Sequence, residues 1–173
     1  NGTGWISFFE QSDPIPDREE QWAAVRNCDY VNNDLVWMQP APFNNTYALA
    51  FREEAADELG NPETLSDLGP ILEEDPESVT LCVESEFAVR NDGLPGMEEL
   101  YGYEIPDDQV SVLDTGVVYS ATDQGDPCNY GEIFTSDGRV SALGLTVLED
   151  DQGFFPLYNA SPIFRSDVYE QYG

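Results

Sequence analysis

The sequence predicts an α/β fold built on a mostly parallel sheet flanked by helices. Three observations carry this expectation. Short apolar runs rich in Val, Leu, Phe and Tyr alternate along the chain with stretches that carry helix caps. Gly, Pro, Asn and Asp punctuate the boundaries between them. The chain is 40% apolar and 12% aromatic, which supplies a buried core in spite of a formal net charge of −29. Strands that alternate with helices form βαβ units, whose sheet is covered on both faces.

Taken in order, residues 1–9 read as the end of a segment already under way, and residues 12–16 as a turn-rich break. Residues 17–27 form a helix: Asp17 is the N-cap, acids fill the first turn and Arg26 sits in the last. A strand at 35–38 is stopped by Pro40 and Pro42. The next strand, 46–51, leads into a helix over 53–59 that ends at Gly60. Residues 64–68 are a short helical connection. An apolar strand at 79–83 is followed by a helix around 97–101, closed by Gly102. A strand at 110–113, a short helix at 117–122 and a strand at 130–134 complete this run. Two more strands are expected, over 140–148 with a break near Gly144, and around 162–164.

The composition excludes several kinds of chemistry. There are 35 acids against 6 bases, all six of them arginine, with no lysine and no histidine. A Ser-His-Asp triad and the common zinc sites therefore have no ligands, and Schiff-base catalysis and a Walker-type phosphate loop have no lysine. Nucleic acid is not an expected partner, because its binding rests on basic patches. An anionic membrane surface repels this chain, whereas a cationic ligand is drawn in by its field. The same acidity also serves solubility alone. Cys28, Cys82 and Cys128 show no metal-ligand spacing; three free thiols, or one disulfide and one thiol, both fit. No run approaches the ~20 apolar residues that span a bilayer.

Four segments in fixed order carry the functional signal: Phe43-Asn44-Asn45-Thr46-Tyr47-Ala48-Leu49, Glu84-Ser85-Glu86-Phe87-Ala88-Val89-Arg90, Phe134-Thr135-Ser136-Asp137-Gly138-Arg139, and the run from Glu149 through Phe154-Phe155-Pro156 to Tyr158. With these, the chain resembles the substrate-binding proteins of ABC importers for glycine betaine, choline and carnitine. The resemblance implies a lobe of the type II periplasmic-binding-protein fold, and a two-lobed protein that closes on its ligand by hinge motion. It implies that residues 1–44 are a remnant of lobe I with the first hinge crossing, residues 45–157 are lobe II, and residues 158–173 return to lobe I. It implies an extracytoplasmic protein, periplasmic or a cell-surface lipoprotein, of bacterial or archaeal origin. Its partner would be an ABC permease, with no cofactor and no enzymatic activity. In an oxidising compartment, with the strands at 79–83 and 130–134 as neighbours in a 2-1-3 order, Cys82 and Cys128 become the expected disulfide, leaving Cys28 unpaired.

The chemistry of such a ligand is specific. A quaternary ammonium has no N–H, so hydrogen bonds cannot hold it; its charge is spread over methyl groups and suits the faces of aromatic rings. A betaine carboxylate in addition needs a guanidinium or N–H donors. By resemblance, Tyr47 and Tyr158 match box tyrosines, and Phe134 stands where the family has tyrosine, keeping the ring and losing the hydroxyl. A further family tyrosine would precede Asn1. Thr3 matches a threonine at the ligand's polar end, Arg90 and Glu86 match an arginine and an acid from the second lobe, and Asn45 matches a polar residue beside the crossing.

Plainer readings of the same residues stand beside these. Tyr47 and Phe134 are also ordinary strand aromatics, and Arg90, four residues after Glu86, also makes a surface ion pair. Phe154 and Phe155 read as packing residues and Asp137-Gly138 as a turn. The three Asn-x-Ser/Thr matches, at Asn1, Asn44 and Asn159, read as chance. Two other classes of function compete: an acidic extracellular domain that binds no small molecule, and a hydrolase using paired carboxylates such as Glu84 with Glu86 or Asp150 with Asp151.

Overall fold

The computed structural model describes residues 2–11 and 15–172. Asn1 and most of the expected break at 12–16 lie outside the described residues. The chain divides into two compact units, Asn1–Thr46 with Pro156–Gly173, and Tyr47–Phe155.

The larger unit is built on a five-stranded sheet of order β4-β3-β5-β2-β6. Its strands are β2 (Tyr47–Arg52), β3 (Leu81–Val83), β4 (Val110–Val112), β5 (Tyr130–Phe134) and β6 (Leu145–Val147). β3 runs parallel to both β4 and β5, while β2 is antiparallel to both β5 and β6. Four strands therefore share one direction and β2 alone is reversed, so the sheet is mostly parallel. The strands at 79–83, 110–113 and 130–134 take the expected 2-1-3 order.

Side chains alternate across a sheet, and directly paired residues share a face. On one face Ala48 and Ala50 of β2, Ile133 of β5 and Leu145 of β6 pack with Tyr119 of α4 (Thr115–Gln124). Gly131 belongs to this face, and a Cβ there would collide with the buried Thr122 of α4. The opposite face takes Tyr47, Leu49 and Phe51, paired with Phe134, Glu132 and Tyr130. Leu49 and Phe51 are fully buried, each contributing about 1.5–3 kcal/mol. Cys82 and Cys128 are joined by a disulfide, with Cα atoms 5.6 Å apart, among Val118 and Ala121. Cys28 is a free thiol.

Three local expectations are corrected. No helix spans 53–59. A single tight turn at Glu53–Ala55 is followed by turns, and two successive residues in the left-handed region, Gly60 (φ 83°) and Asn61 (φ 55°), reverse the chain. Residues 140–143 do not belong to a strand. Asp137 accepts from the Arg139 N–H and caps α5 (Gly138–Ala142), and only the residues after Gly144 are extended. Besides α5, two more helices were not expected. α2 (Leu68–Glu74) tolerates Pro70 in its first turn, where its missing N–H has no helical partner. α6 (Ser166–Tyr172) follows the last strand. The helix around 97–101 starts earlier, as α3 (Leu94–Tyr101), and ends on Gly102 in the left-handed region.

The smaller unit holds a helical turn at Gly4–Phe8, α1 (Arg18–Asn33) and a two-stranded antiparallel ribbon of β1 (Leu35–Trp37) and β7 (Ile163–Arg165). Asp17 caps α1 through the N–H groups of Glu19 and Glu20. The helix runs six residues past the expected Asn27 and stops at Asp34, which is left-handed (φ 59°). Asp29 explains the extension. It is buried, and it accepts from Trp37 Nε1 at 2.5 Å and Asn33 Nδ2 at 2.6 Å, tying the last turns to β1.

Candidate functional site

The expected binding residues of the larger unit converge on the buried face of β2 and β5. Register pairs Tyr47 with Phe134, and their ring centroids lie 5.1 Å apart. Two further aromatics join them: Phe87, 5.2 Å from Tyr47 and edge-on, and Phe155, 6.2 Å away. Offset and edge-to-face pairs of this kind are worth about 0.5–1.5 kcal/mol each beyond the area they bury. Tyr47 is 8% exposed, so it is at once a core residue and the centre of the cluster. Burial pushes its phenol up to about 12, against the pull of the Arg90 charge.

The segment after β3 positions the charged residues. The Glu84 carboxylate accepts from Ser85 Oγ and the Glu86 N–H, and backbone bonds from Ala88 to Glu84 and from Arg90 to Glu86 wind the chain into one helical turn. This turn sends Phe87 inward and brings Arg90 towards Tyr47. Arg90 is then clamped. Its Nε and Nη2 donate to the two oxygens of Asp92 at 2.7 and 2.6 Å, and Nη1 lies 3.5 Å from Glu86. Asp92 is buried and Glu86 exposed, so the bidentate pair holds the guanidinium more firmly than the i,i+4 contact does.

Phe155 owes its place to Asp150, which accepts from the N–H groups of Phe154 and Phe155 at 2.9 and 2.8 Å and from the Tyr101 hydroxyl at 2.5 Å. Burial, then the bond to Asp150, raises the Tyr101 phenol well above its ordinary range. Asp151 turns outward to Ser66. Both members of this carboxylate pair are therefore engaged as acceptors that organise the loop.

Glu132 lies on the same face, between Tyr130 and Phe134 along β5 and opposite Leu49. It is 1% exposed; its Oε2 accepts from the Glu84 N–H at 3.2 Å, and its Oε1 has no partner among the described residues. Burial lifts this carboxyl to about 7, with the Glu84 N–H opposing and the Glu84 charge adding.

The remaining candidates belong to the smaller unit. Tyr158 donates its N–H to Asn44 Oδ1 at 2.7 Å, and its carbonyl accepts from the Asn45 N–H at 3.5 Å. Its ring lies against Gly2, where a Cβ would be 2.9 Å from Tyr158 Cδ1. Asn159 Nδ2 ties the same stretch to the carbonyls of Ala41 and Phe43. Thr3 is exposed at the head of the first helical turn.

Tyr47, Phe134, Arg90 and Glu86 are thus brought into one neighbourhood, and Asn45 and Tyr158 into another. Sequence reasoning passed over Asp92 and Glu132, met Phe87 only inside a motif, and offered Asp150 only as half of a carboxylate pair. The signal for Glu132 was present, since an acid flanked two residues away on each side by aromatics occupies an inward strand position. The segment Phe134-Thr135-Ser136-Asp137 adds a different use of a ring: the Arg139 guanidinium sits 3.8 Å over Tyr119, and its bonds hold the Asp137 carboxyl down at about 2. Among the described residues no group of three His, Cys, Asp or Glu side chains is placed to hold a metal ion, and no helix is long and apolar enough to cross a membrane.

Comparison with known proteins gives these residues a context. Residues 12–173 match the family model described as the substrate binding domain of ABC-type glycine betaine transport system. The chain is 42% identical to a glycine-betaine-binding protein of Pseudomonas aeruginosa over 96% of its own length, and 35% identical to the glycine betaine-binding protein YehZ of Escherichia coli over 99%. It spans 54% and 57% of those relatives, about half of each. Among solved structures, apo YehZ from E. coli superposes with a TM-score of 0.66 at 33% identity, covering 99% of this chain and 62% of that one. A structure titled as a glycine betaine/carnitine/choline ABC transporter gives 0.73 at 28% identity, covering 99% and 60%. With a family match over nearly the whole chain and a periplasmic-binding-protein fold beneath it, this chain belongs to the family of substrate binding domains of ABC-type glycine betaine transport systems.

Proposed function

We propose that this chain forms part of an extracytoplasmic solute-binding protein that captures a quaternary ammonium compatible solute, such as glycine betaine, choline or carnitine, and delivers it to an ABC permease. The observation that carries the reading is the Tyr47–Phe134 ring pair with the Arg90 guanidinium beside it. Ring faces attract a methylated cation at about 0.5–2 kcal/mol each, and a guanidinium answers a carboxylate. A zwitterionic betaine has both groups. Relatives named as glycine-betaine-binding and carnitine transport binding proteins favour the same ligand class.

In this reading residues 47–155 belong to lobe II. Tyr47 and Phe134 supply its ring faces, Arg90 meets the ligand's carboxylate, and Glu86 and Asp92 hold Arg90 in place. Tyr158, Thr3 and Asn45 enter through the family resemblance, Tyr158 as a further ring and the other two as partners of the ligand's polar end. A chain with 35 acids and 6 bases adds a long-range pull on a cation.

Calorimetric titration of the full-length protein with glycine betaine, choline and carnitine tests the proposal, with the uncharged carbon isostere of choline as control. Tyr47→Ala should weaken binding by about 1–2 kcal/mol and Tyr47→Phe by clearly less, because the ring face and not the hydroxyl holds the cation. Equal losses for the two variants, or equal affinity for choline and its uncharged isostere, would overturn the aromatic-cage reading.

A further inference from the structure

Glu132 is a buried carboxyl in the aromatic neighbourhood that its hydrogen bond to the Glu84 N–H satisfies only in part. It sits diagonally across the β2–β5 pair from Tyr47, on the face that carries the ring pair, a placement that brings long side chains within reach of one another. One carboxyl oxygen is engaged by the Glu84 N–H, and the other meets no donor among the described residues. A buried polar atom left without a partner is costly, and evolution of a purely structural position would favour an apolar residue here. Leu49, its direct cross-strand partner, shows that an apolar side chain fits this layer.

We propose that Glu132 is the counter-charge of the ligand site: docking of a cationic head group on the Tyr47–Phe134 rings drives the Glu132 carboxyl to ionise, so that ligand capture releases a proton. The inference rests on the quaternary-amine reading of that ring pair. Its physical basis is the low-dielectric surrounding. Without a cation nearby, burial keeps the carboxyl protonated up to about 7, far above an exposed glutamate. A positive charge a few ångströms away favours the carboxylate and lowers that value.

The other titratable groups around Glu132 do not blur the linkage. Glu84, from the turn after β3, adds negative charge and disfavours ionisation of Glu132 in the free protein. Tyr47 from β2, Tyr119 from α4 and Tyr130 on the same strand all have phenols raised by burial, so they stay neutral. Arg90 and Asp92, which reach Tyr47, are paired with each other. Choline has no group that titrates near neutrality, so any proton released on its binding comes from the protein.

The test is proton-linked calorimetry on the full-length protein. Choline and glycine betaine are titrated near pH 7 in two buffers of different ionisation heat. The wild type should release roughly half a proton per ligand, since a carboxyl titrating at about 7 is half protonated there. Between about pH 5.5 and about pH 8.5 choline affinity should rise roughly tenfold as the protonated fraction disappears. Glu132→Gln, which keeps the shape, should abolish both the proton release and the pH dependence. Glu84→Gln should keep both. Binding without proton release, release that survives in Glu132→Gln, or proton uptake with betaine would overturn the proposal while leaving the ring-pair reading intact. Failure of either ligand to bind the wild type at any pH would overturn the ring-pair reading and this inference together.

Discussion

Glutamine at position 132 should change how the ligand-free protein responds to pH, by an amount that follows from burial alone. The Glu132 carboxyl has an ordinary value of 4.5 in the unfolded chain and about 7 in the folded one. Between those two values the folded state holds a proton that the unfolded chain has lost. Stability therefore declines as pH rises through this window, and the contribution is gone above about pH 7. At about 1.4 kcal/mol per pK unit, most of the shift is traversed between about pH 5 and about pH 8, which corresponds to a loss of roughly 2.5 kcal/mol. Glu132→Gln has no such proton to lose. Urea unfolding of both proteins at the two pH values gives the difference directly, because the other acids are common to both and cancel. The variant should gain about 2.5 kcal/mol relative to wild type on going from the lower to the higher pH. Parallel profiles for the two proteins would refute the argument, and would mean that water or a local shift solvates the Oε1 atom.

Other perturbations follow from the same geometry. Asp150→Ala removes the acceptor of the Phe154 and Phe155 N–H groups and the Tyr101 hydroxyl; thermal unfolding should show a loss of about 2–3 kcal/mol, with Phe155 displaced from the cluster in a crystal structure. Opening the Cys82–Cys128 disulfide with a Ser pair frees a loop of 46 residues, and chemical unfolding should report a loss of about 4 kcal/mol on the chain-entropy estimate. Arg90→Ala should weaken glycine betaine more than choline in side-by-side titrations, because only the betaine carboxylate loses a charge-assisted partner; matching losses would assign Arg90 to the Asp92 clamp alone. Gly131→Ala forces a methyl group onto Thr122 and should cost about 1–3 kcal/mol in a denaturant melt without altering ligand preference.

The parts of the fold that were legible in the sequence are those where one local signal dominates. Asp17 announces its helix because a short acceptor before two acids satisfies orphan N–H groups. Gly102 announces the end of α3, and 130–134 announces β5 to the residue, since Tyr130, Ile133 and Phe134 frame it between the turn residues before Tyr130 and after Phe134. Where two signals compete, tertiary context decides. Val140 and Leu143 look like strand residues, yet the Asp137 cap draws them into α5. The run over 53–59 looks helical, yet Gly60 and Asn61 turn the chain back too soon. The reversal of β2 was not legible, because an isolated strand carries no mark of its direction. In the site, Tyr47, Phe134 and Arg90 were named from their motifs, whereas the supporting roles of Asp92 and Asp150 could not be. Each acts through a bond that exists only once a turn has formed, to Arg90 in one case and to two backbone N–H groups in the other.

The Thr46 hydroxyl donates to the Pro156 carbonyl at 3.0 Å, although the two residues are 110 positions apart. That bond has a consequence for the order in which the protein assembles. The smaller unit is discontinuous: its ribbon needs Leu35 to meet Arg165. For an unstructured chain, closing a loop of that length costs about 4 kcal/mol of entropy before any contact repays it. The larger unit, in contrast, is one uninterrupted stretch, Tyr47–Phe155. Once it has folded, its two ends are already side by side, as the Tyr47 and Phe155 rings show, and the long loop is reduced to about 20 residues. During synthesis, the first strand of the ribbon must therefore wait, exposed, until its partner emerges some 130 residues later. Pulse-labelling of nascent chains should find 47–155 protected first, and the ribbon only once residues 163–165 have emerged.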